Sequence, residues 1–200
     1  MTGETSLRKK ATVVIPAYRA EKTIVKAVRS ALIQGECVGE VIVVIDGALD
    51  ETELLLSEFS DPRLKVLVFE ENKGAQVARN EGLLSANEDY ILFLDADDFL
   101  GTNSVTCLLS RIQIDDDDVA IGTNCRVYPD GNFECFDTPK PRNNNELLIC
   151  WLLATCAVGQ NCFLWKKTTL REIGGWNESV ARNQDGELVI RALTKGINFS

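Results

Sequence analysis

The sequence predicts an α/β fold in which helices flank a mostly parallel central sheet. Short apolar runs alternate with helix-like segments along the first hundred residues, which is the order that parallel strands require. The runs at 41–45 and 90–94 are continuously apolar, so both faces of these two strands are expected to be covered. With 200 residues and 45% hydrophobic content, the chain is long enough to bury one core of this kind.

The predicted elements of the first half alternate regularly. The expected strands occupy residues 11–16, 41–45, 64–69 and 90–94. Apolar residues at helical spacing, Ile24, Val28 and Leu32, predict a helix before the second strand. Further helices are expected at 52–59 and 74–86.

The second half follows a looser pattern. A strand is expected at 119–128, with a turn at 129–131 that leads into a returning strand at 132–136. Helices are expected at 146–157, 168–173 and 184–195. Residues 196–200 have the pattern of a further strand.

Composition and charge exclude several classes of protein. A formal net charge of −9 and a pI near 4.7 disfavour binding to nucleic acid, so no such partner is expected. The absence of histidine removes histidine-ligated zinc, serine–histidine–aspartate triads and histidine bases. Acid–base chemistry must therefore fall to carboxylates, lysine, tyrosine or cysteine.

Cysteine usage and hydropathy predict the surroundings of the chain. The seven cysteines include no CxxC pair and follow no signal peptide, so we expect reduced thiols in the cytoplasm. The longest apolar stretch, 147–159, has about 13 residues, whereas a membrane span needs roughly 20. We therefore expect a buried helix there and no transmembrane segment.

The segment 90–98 is the most informative feature of the chain. Its apolar strand is followed by Asp95, Asp97 and Asp98, and ligands of open α/β sheets bind beyond the carboxyl ends of such strands. Carboxylates spaced Asp-x-Asp can hold Mg²⁺ or Mn²⁺ together with the oxygens of a phosphate ligand. An acidic turn without a metal is the alternative, because aspartate is common in turns. The segment alone leaves both interpretations open.

Two phosphate-binding motifs are missing from the sequence. Residues 15–18, Ile-Pro-Ala-Tyr, follow the pattern of the first strand where a dinucleotide-binding fold has its glycine-rich turn, and no Walker A sequence occurs. Dehydrogenases and P-loop NTPases are therefore disfavoured. A phosphate ligand would instead need a metal or a local basic group in a protein of this charge.

Six short motifs follow one another in a characteristic order. They are Val-Val-Ile-Pro-Ala-Tyr (13–18), Val-Ile-Val-Val-Ile-Asp-Gly (41–47), Glu-Asn-Lys-Gly-x-x-x-Ala-Arg-Asn-x-Gly (71–82), Leu-Asp-Ala-Asp-Asp (94–98), Gly-Gly-Trp-Asn-Glu-Ser (174–179) and Asn-Gln-Asp-x-Glu-Leu-x-x-Arg (183–191). Together they resemble the family 2 glycosyltransferases of GT-A fold, the nucleotide-diphospho-sugar transferases. The resemblance covers about residues 10–197. It implies that 1–200 is a single catalytic domain, and we expect it to be truncated at the C-terminus, where the family adds a strand and a helix or tail.

The resemblance also implies a site for the nucleotide of a sugar donor. Pro16, Ala17 and Tyr18 would contact the base and ribose, and the tyrosine ring could stack on the base. Asp46 would accept a hydrogen bond from a pyrimidine N–H, which favours UDP- or dTDP-sugars. The family usually has Asp-Asp-Gly-Ser at this place, whereas residues 45–48 here are Ile-Asp-Gly-Ala.

The next implied roles concern the diphosphate and its cation. Lys73 and Arg79 lie in a loop and helix that the family uses near the nucleotide, and a structural ion pair is an equal alternative for Arg79. Asp95 and Asp97 match the Asp-x-Asp motif and would hold Mn²⁺ or Mg²⁺, with Asp97 as the direct ligand. Asp98 would orient the donor sugar or the loop.

Asp185 is the residue that the resemblance assigns as catalytic base. It begins the inward face of a predicted helix that continues through Leu188 and Val189. The residues alone favour a simpler role, a favourable interaction with the helix dipole. The implied reaction is a metal-assisted inverting displacement in which Asp185 deprotonates the acceptor hydroxyl. Trp176 would pack on the acceptor sugar or, alternatively, lie in the core.

The implied partners are a nucleotide-sugar donor and a glycan, lipid-linked or protein acceptor of polysaccharide biosynthesis. Such a protein would lie in the cytoplasm, with peripheral contact to the inner face of the membrane. Two alternatives remain. A haloacid-dehalogenase-like phosphatase shares the Asp95-Ala96-Asp97 pattern, although Phe99 and the position in mid-chain disfavour it. A catalytically inactive relic or fragment could bind the nucleotide sugar without turnover.

Overall fold

The structure is a computed structural model that describes residues 9–47, 49–136, 143–152 and 159–200. Its strands are β1 (Ala11–Ala17), β2 (Val38–Asp46), β3 (Leu64–Phe69), β4 (Tyr90–Phe93), β5 (Val119–Ile121), β6 (Asn124–Val127), β7 (Phe133–Phe136) and β8 (Phe163–Lys166). Its helices are α1 (Ile24–Leu32), α2 (Thr52–Ser57), α3 (Ala75–Ser85), α4 (Ser104–Asp115), α5 (Asn144–Leu152), α6 (Lys167–Ile173) and α7 (Gln184–Thr194). The alternating order predicted for the first half is confirmed.

A six-stranded sheet in the order β3-β2-β1-β4-β8-β5 organises the molecule. Strands β1 to β4 are mutually parallel, whereas β8 runs antiparallel to both of its neighbours. Hydrophobic clusters cover both faces, so that consecutive residues such as Val13 and Val14 pack into different clusters. This two-sided burial explains why β1, β2 and β4 are mainly apolar in the sequence, whereas β3, at the edge of the sheet, is only partly buried.

The polarity of the strands determines which residues meet at one edge. The carboxyl ends of β1, β2 and β4 point to the same edge because these strands are parallel. The amino end of β8 lies at that edge too, since β8 is reversed. A short 3₁₀ turn, Gln160–Cys162, leads into β8. It therefore lies at the same edge of the sheet as the carboxyl ends of the parallel strands.

The second half differs from the prediction in four places. The expected strand at 119–128 is divided into β5 and β6, because the chain leaves the main sheet after Ile121 and pairs with β7 as a separate hairpin. Helix α4 and strand β8 were not predicted. The helix expected at 146–157 corresponds to α5, and its residues beyond 152 lie outside the described residues. The strand expected at 196–200 is limited to one bridge between Phe199 and Val119.

The hairpin of β6 and β7 contains a disulfide between Cys125 and Cys135. The pairing register places these residues directly opposite each other, with their Cα atoms 3.9 Å apart. The expectation of reduced thiols throughout the chain is therefore wrong for this pair. The sequence offered no sign of it, because the turn at 129–131, and not a CxxC spacing, brings the cysteines together.

Helix α3 packs against β1 at very short range. Gly82 lies so close to the sheet that a Cβ atom added to it would be 2.2 Å from Cγ1 of Val14. Val14 is fully buried and has no room to withdraw. The contact seats the helix against the sheet, and Arg79 lies three residues earlier on the same helix face.

The opposite, amino-terminal edge of the sheet buries Glu40 near the start of β2, where it is 4% exposed. Its carboxylate accepts hydrogen bonds from Thr12 Oγ1 at 2.9 Å and from the backbone and side-chain nitrogens of Asn87 at 3.0 and 2.9 Å. Lys65 completes the set with an ion pair.

No helix within the described ranges is long and apolar enough to cross a membrane.

Candidate active site

An acidic loop follows β4 at the carboxyl edge of the sheet. Asp95, Asp97 and Asp98 each place a carboxylate oxygen there, and the three oxygens lie within 4.8 Å of one another. Asp97 is exposed, and neither a hydrogen bond nor an ion pair to another described residue engages its carboxylate. The sequence-predicted Asp-x-Asp pair is thus brought together with Asp98 in one cluster of hard oxygen donors.

A cavity of about 350 Å³ opens beside this loop, and we call it the Asp97 cavity. Its lining comprises Pro16, Ala17, Tyr18, Asp46, Asn72, Gly74, Ala75, Arg79, Asp95, Ala96 and Asp97. Seven residues that the sequence assigned to nucleotide-sugar or metal binding therefore surround one space. Tyr18 is 48% exposed, so its ring is accessible to a ligand.

Asp46 lies at the end of β2 and holds the loop that precedes α3. Its Oδ1 accepts the backbone N–H of Lys73 at 2.7 Å, and its Oδ2 accepts that of Gly74 at 2.9 Å. Asp46 is only 3% exposed, so these bonds also compensate for its burial. The side chain of Lys73 does not line the cavity, because its ammonium lies 4.7 Å from the ring centre of Phe69.

Arg79 reaches the site from α3 and connects several of its parts. It is 5% exposed, and its Nη2 donates to Asp95 Oδ1 at 2.9 Å while its Nη1 donates to Gln184 Oε1 at 2.9 Å. The guanidinium also lies 4.5 Å from the ring centre of Trp176. The structural ion pair that the sequence left as one alternative for Arg79 is present, and both of its members line the cavity. The role of Arg79 near the nucleotide stays a prediction.

Asp185 lies in the first turn of α7, directly after the Gln184 that Arg79 contacts. Burial raises the pKa of Asp185 above its ordinary value, Arg79 opposes this effect, and the negative charge of Asp95 reinforces it. A half-buried carboxylate whose pKa is raised is a better proton acceptor than an exposed one. Asp185 is not among the residues that line the Asp97 cavity.

Trp176 occupies the core, the alternative that the sequence left open. It is 2% exposed and packs edge-on against Phe93, with ring centres 5.1 Å apart. Asn80 fixes its backbone through two hydrogen bonds of 2.8 and 2.9 Å. The expected stacking of Trp176 on an acceptor sugar is therefore corrected, because its ring face is taken by Arg79.

Asp98 borders a second cavity, of about 590 Å³, which we call the Asp98 cavity. The first turn of α4, β5, β6 and Asn161 form its other walls. Burial raises the pKa of Asp98 above its ordinary value, and Asp95 and Asp97 raise it further. Asp98 thus lies on the far side of the acidic loop from Asp46 and Tyr18.

Two residues of the site were missed from the sequence. The side-chain nitrogen of Gln160 donates to Asp95 Oδ1, and that of Asn161 donates to Asp98 Oδ2 at 2.8 Å. Polar amides that follow a glycine at the end of an apolar stretch have no motif that marks them as functional. Their position depends on the reversed direction of β8, which the sequence analysis did not predict.

Comparison with known proteins places this chain in a family. The family model described as Glycosyl transferase family 2 matches residues 12–172. Among curated proteins, the chain is 38% identical over 100 residues to UDP-Glc:alpha-D-GlcNAc-diphosphoundecaprenol beta-1,3-glucosyltransferase WfgD of Escherichia coli, which covers 50% of this chain and 40% of that protein. The chain spans less than two thirds of the length of the curated relatives it matches.

Two solved structures share the fold. TarS 1–349 of S. aureus in complex with UDP-GlcNAc has a TM-score of 0.73 at 23% identity, over 92% of this chain and 53% of that one. The mannosyltransferase PcManGT of Pyrobaculum calidifontis in complex with GDP-Man and Mn²⁺ has a TM-score of 0.71 at 15% identity, over 97% and 55%. The predicted GT-A fold is thereby confirmed.

Proposed function

Because the chain belongs to glycosyl transferase family 2, we propose that it transfers a sugar from a nucleoside-diphosphate donor to an acceptor hydroxyl, with inversion and with the help of a divalent metal. The observation that carries the proposal is the meeting of Asp95, Asp97 and Asp98 beside a cavity bordered by Tyr18 and Asp46. A carboxylate cluster next to a space for a base is what a diphosphate donor needs. The haloacid-dehalogenase alternative is not retained, since the family match runs through the whole acidic loop.

The donor set of the acidic loop fits Mn²⁺ or Mg²⁺. Three carboxylates offer hard oxygen ligands within 4.8 Å of one another, and nitrogen and sulfur ligands are absent from that group. Asp97, whose carboxylate is not otherwise engaged, would be the direct ligand, with Asp95 supporting it. When bound, the cation would supply neutralisation of the charge that develops on the departing nucleoside diphosphate.

The Asp97 cavity suits the nucleotide part of the donor. The exposed ring of Tyr18 offers a stacking surface for the base. Pro16 and Ala17 would shape the floor beneath the ribose. Each Asp46 oxygen retains a lone pair beyond its bond to the loop, so it can still accept a hydrogen bond from a base N–H. A uridine or thymidine diphosphate sugar is the favoured donor, and TarS is a neighbour crystallised with UDP-GlcNAc.

Asp185 is proposed as the catalytic base. Its raised pKa makes it a stronger acceptor for the proton of an attacking hydroxyl, and the chain has no histidine to compete for that role. Arg79 would limit this rise in the pKa of Asp185, because its positive charge opposes the effect of burial. The base and the acidic loop are thus electrostatically linked through one guanidinium.

The acceptor belongs to the class of glycans, free, lipid-linked or carried by a protein. The name of the relative WfgD specifies a diphosphoundecaprenol-linked acceptor, which makes a lipid-linked glycan the first choice to test. Such an acceptor would bring the protein to the inner face of a membrane through peripheral contact. A domain that binds the donor without turnover is the second candidate, because Asp185 does not line the Asp97 cavity.

The first experiment measures metal-dependent donor binding. UDP should bind the chain more tightly with Mn²⁺ than with a chelator, as determined by calorimetry, because the diphosphate and the acidic loop repel each other without a cation. Asp97→Ala should remove most of that difference, whereas Asp115→Ala, which removes an exposed carboxylate at the end of α4, should retain it. Equal affinity with and without metal would contradict the proposal.

A further inference from the structure

The turn Gln160–Cys162 places two neutral amides against the acidic loop. Gln160 donates its side-chain N–H to Asp95, and Asn161 donates its own to Asp98 Oδ2 at 2.8 Å. Consecutive residues therefore engage the two outer carboxylates of the cluster. The carboxylate between them, that of Asp97, has no such partner among the described residues.

Gln160 is buried in a way that stability does not explain. It is 5% exposed, and its side-chain oxygen has no hydrogen-bond partner in the part of the chain that the structure describes. Leaving a buried polar atom unpaired costs about 1–3 kcal/mol. An apolar side chain of similar size would avoid that cost, so the bond to Asp95 is the one feature that favours glutamine at this position.

Neutral donors suit a loop that must attract a cation. Three carboxylates within 4.8 Å of one another repel, and the loop would spread without something to hold it. A lysine or arginine at position 160 or 161 would hold the loop but would cancel negative charge. An amide fixes the orientation of a carboxylate through one hydrogen bond and leaves its charge in place.

We propose that Gln160 and Asn161 are positioning residues that hold Asp95 and Asp98 in the orientation needed for a divalent cation, leaving Asp97 free to bind it directly. The inference rests on the proposed function, since it assumes that the acidic loop binds a metal. Asp95 Oδ1 receives both Gln160 and Arg79, so one of its oxygens is fully occupied and the other faces a fixed direction. Neither amide lines the Asp97 cavity, so their role is to set the geometry of the carboxylates.

Two pairs of variants test the inference by Mn²⁺ binding, followed through the electron paramagnetic resonance signal of free Mn²⁺ with UDP present. Gln160→Leu should raise the apparent Mn²⁺ dissociation constant about 10-fold, the scale found for residues that orient metal ligands. Its thermal midpoint should stay level or rise, because an unpaired buried oxygen is removed. If Gln160 had a purely structural role, its substitution would give the opposite result, a lower thermal midpoint with unchanged Mn²⁺ affinity.

Gln34→Leu is the matched control for the first pair. Gln34 is 7% exposed and all of its polar atoms are bonded, to Ser30, Gly101 and Val105. Its substitution should lower the thermal midpoint and leave Mn²⁺ affinity unchanged.

The second pair compares Asn161→Ala with Asn132→Ala. Asn132 also donates to an aspartate at 2.8 Å, that of Asp130 in the hairpin turn, far along the chain from the loop. Asn161→Ala should weaken Mn²⁺ binding several-fold and Asn132→Ala should not. If the unsubstituted chain binds Mn²⁺ with UDP but both site variants match it, the positioning role is refuted and the proposed function stands. If the unsubstituted chain does not bind Mn²⁺, the positioning role and the proposed function are both refuted.

Discussion

The two ends of the central sheet both carry carboxylates whose pKa is shifted, but the shifts have opposite directions. At the amino-terminal edge, burial raises the pKa of Glu40, yet hydrogen bonds from Lys65, Asn87 and Thr12 outweigh it and hold that pKa below its ordinary value. At the carboxyl edge, burial raises the pKa of Asp98 and of Asp185, and their surroundings do not reverse the effect. The fold therefore stabilises the charged form of Glu40, whereas it leaves Asp98 and Asp185 with a raised pKa at the edge where a ligand would bind.

Unpaired polar atoms divide the molecule in the same way. The carboxylate of Glu40 meets four donors on three residues. Near the acidic loop, by contrast, the Nε of Arg79 and the side-chain oxygen of Gln160 are buried without a hydrogen-bond partner among the described residues. An edge that retains unpaired groups is less stable than it could be, which is typical of sites that bind ligands.

The largest expected effect is on catalysis at the carboxyl edge. Asp185→Asn should reduce sugar transfer about 10²- to 10⁴-fold, because it removes the general base while keeping the size of the side chain. UDP binding and the thermal midpoint should not fall, since a buried carboxylate of raised pKa is replaced by a neutral group. Transfer and donor-binding assays on the same preparation check both statements. Full activity would identify a different base, and Glu187 would be the next residue to test.

The pH dependence of transfer tests the same residue without substitution. A base must be deprotonated to act, and burial raises the pKa of Asp185. The rate should therefore fall as the pH decreases through that raised pKa, above the range of an ordinary aspartate. Removing Arg79, whose charge opposes the effect of burial, should move the acid limb to still higher pH. An acid limb in Arg79→Met at or below that of the parent would contradict the link.

A smaller effect is expected from substitution of Asp46. Its carboxylate supports the loop before α3 and is also proposed to contact the base of the donor. Asp46→Asn leaves one acceptor oxygen for the two backbone N–H groups of Lys73 and Gly74, so the loop before α3 should lose part of its support. UDP affinity should fall about 10- to 100-fold, the scale of one hydrogen bond to a charged group. Calorimetry on Asp46→Asn and on the exposed control Asp115→Asn measures the difference. Unchanged UDP binding in a folded variant would reject the base-contact role.

At the amino-terminal edge, the expected change is in stability alone. Glu40→Gln should lower the free energy of unfolding by about 2 kcal/mol, because an amide nitrogen would face donors that now meet an acceptor. The folded pKa of Glu40 is depressed from 4.5, so its contribution is present above that pH and is lost as the pH falls through the folded value.

Urea denaturation at several pH values measures this stability difference. The gap between the parent and Glu40→Gln should narrow below pH 4.5, and the exposed control Glu58→Gln should show almost no gap. UDP binding at neutral pH should be the same in all three proteins. A loss of donor affinity in Glu40→Gln would break the division between the two edges.

The carboxyl edge was predictable from the sequence where its residues follow parallel strands. Pro16 and Ala17 end β1 and Tyr18 follows it, Asp46 ends β2, and the acidic loop follows β4. Strand order alone therefore brings them together. The first-half strands could be located because each is a short and mainly apolar run between helix-like segments. Roles for Asp46 and Asp185 came from the resemblance to a family and stay predictions.

The remainder of the site could not be predicted, because its position depends on the direction in which β8 runs. Gln160 and Asn161 precede β8, and they reach the acidic loop only because that strand is reversed. Periodicity identifies an apolar segment but carries no information on the direction in which it enters the sheet. Trp176 was ambiguous for a different reason, since a tryptophan that follows two glycines fits a core position and a binding surface equally well.

The close contact between Gly82 and Val14 has a consequence for how this protein can vary. Because a Cβ at position 82 would lie 2.2 Å from a side chain that cannot move, the two positions are bound to change together. A lineage that acquires alanine at 82 must first shorten the residue at 14, or the helix that carries Arg79 shifts outward and Asp95 loses its ion pair with Arg79. Sequence variation at the site is therefore limited by a pair of apolar positions that never meet a substrate.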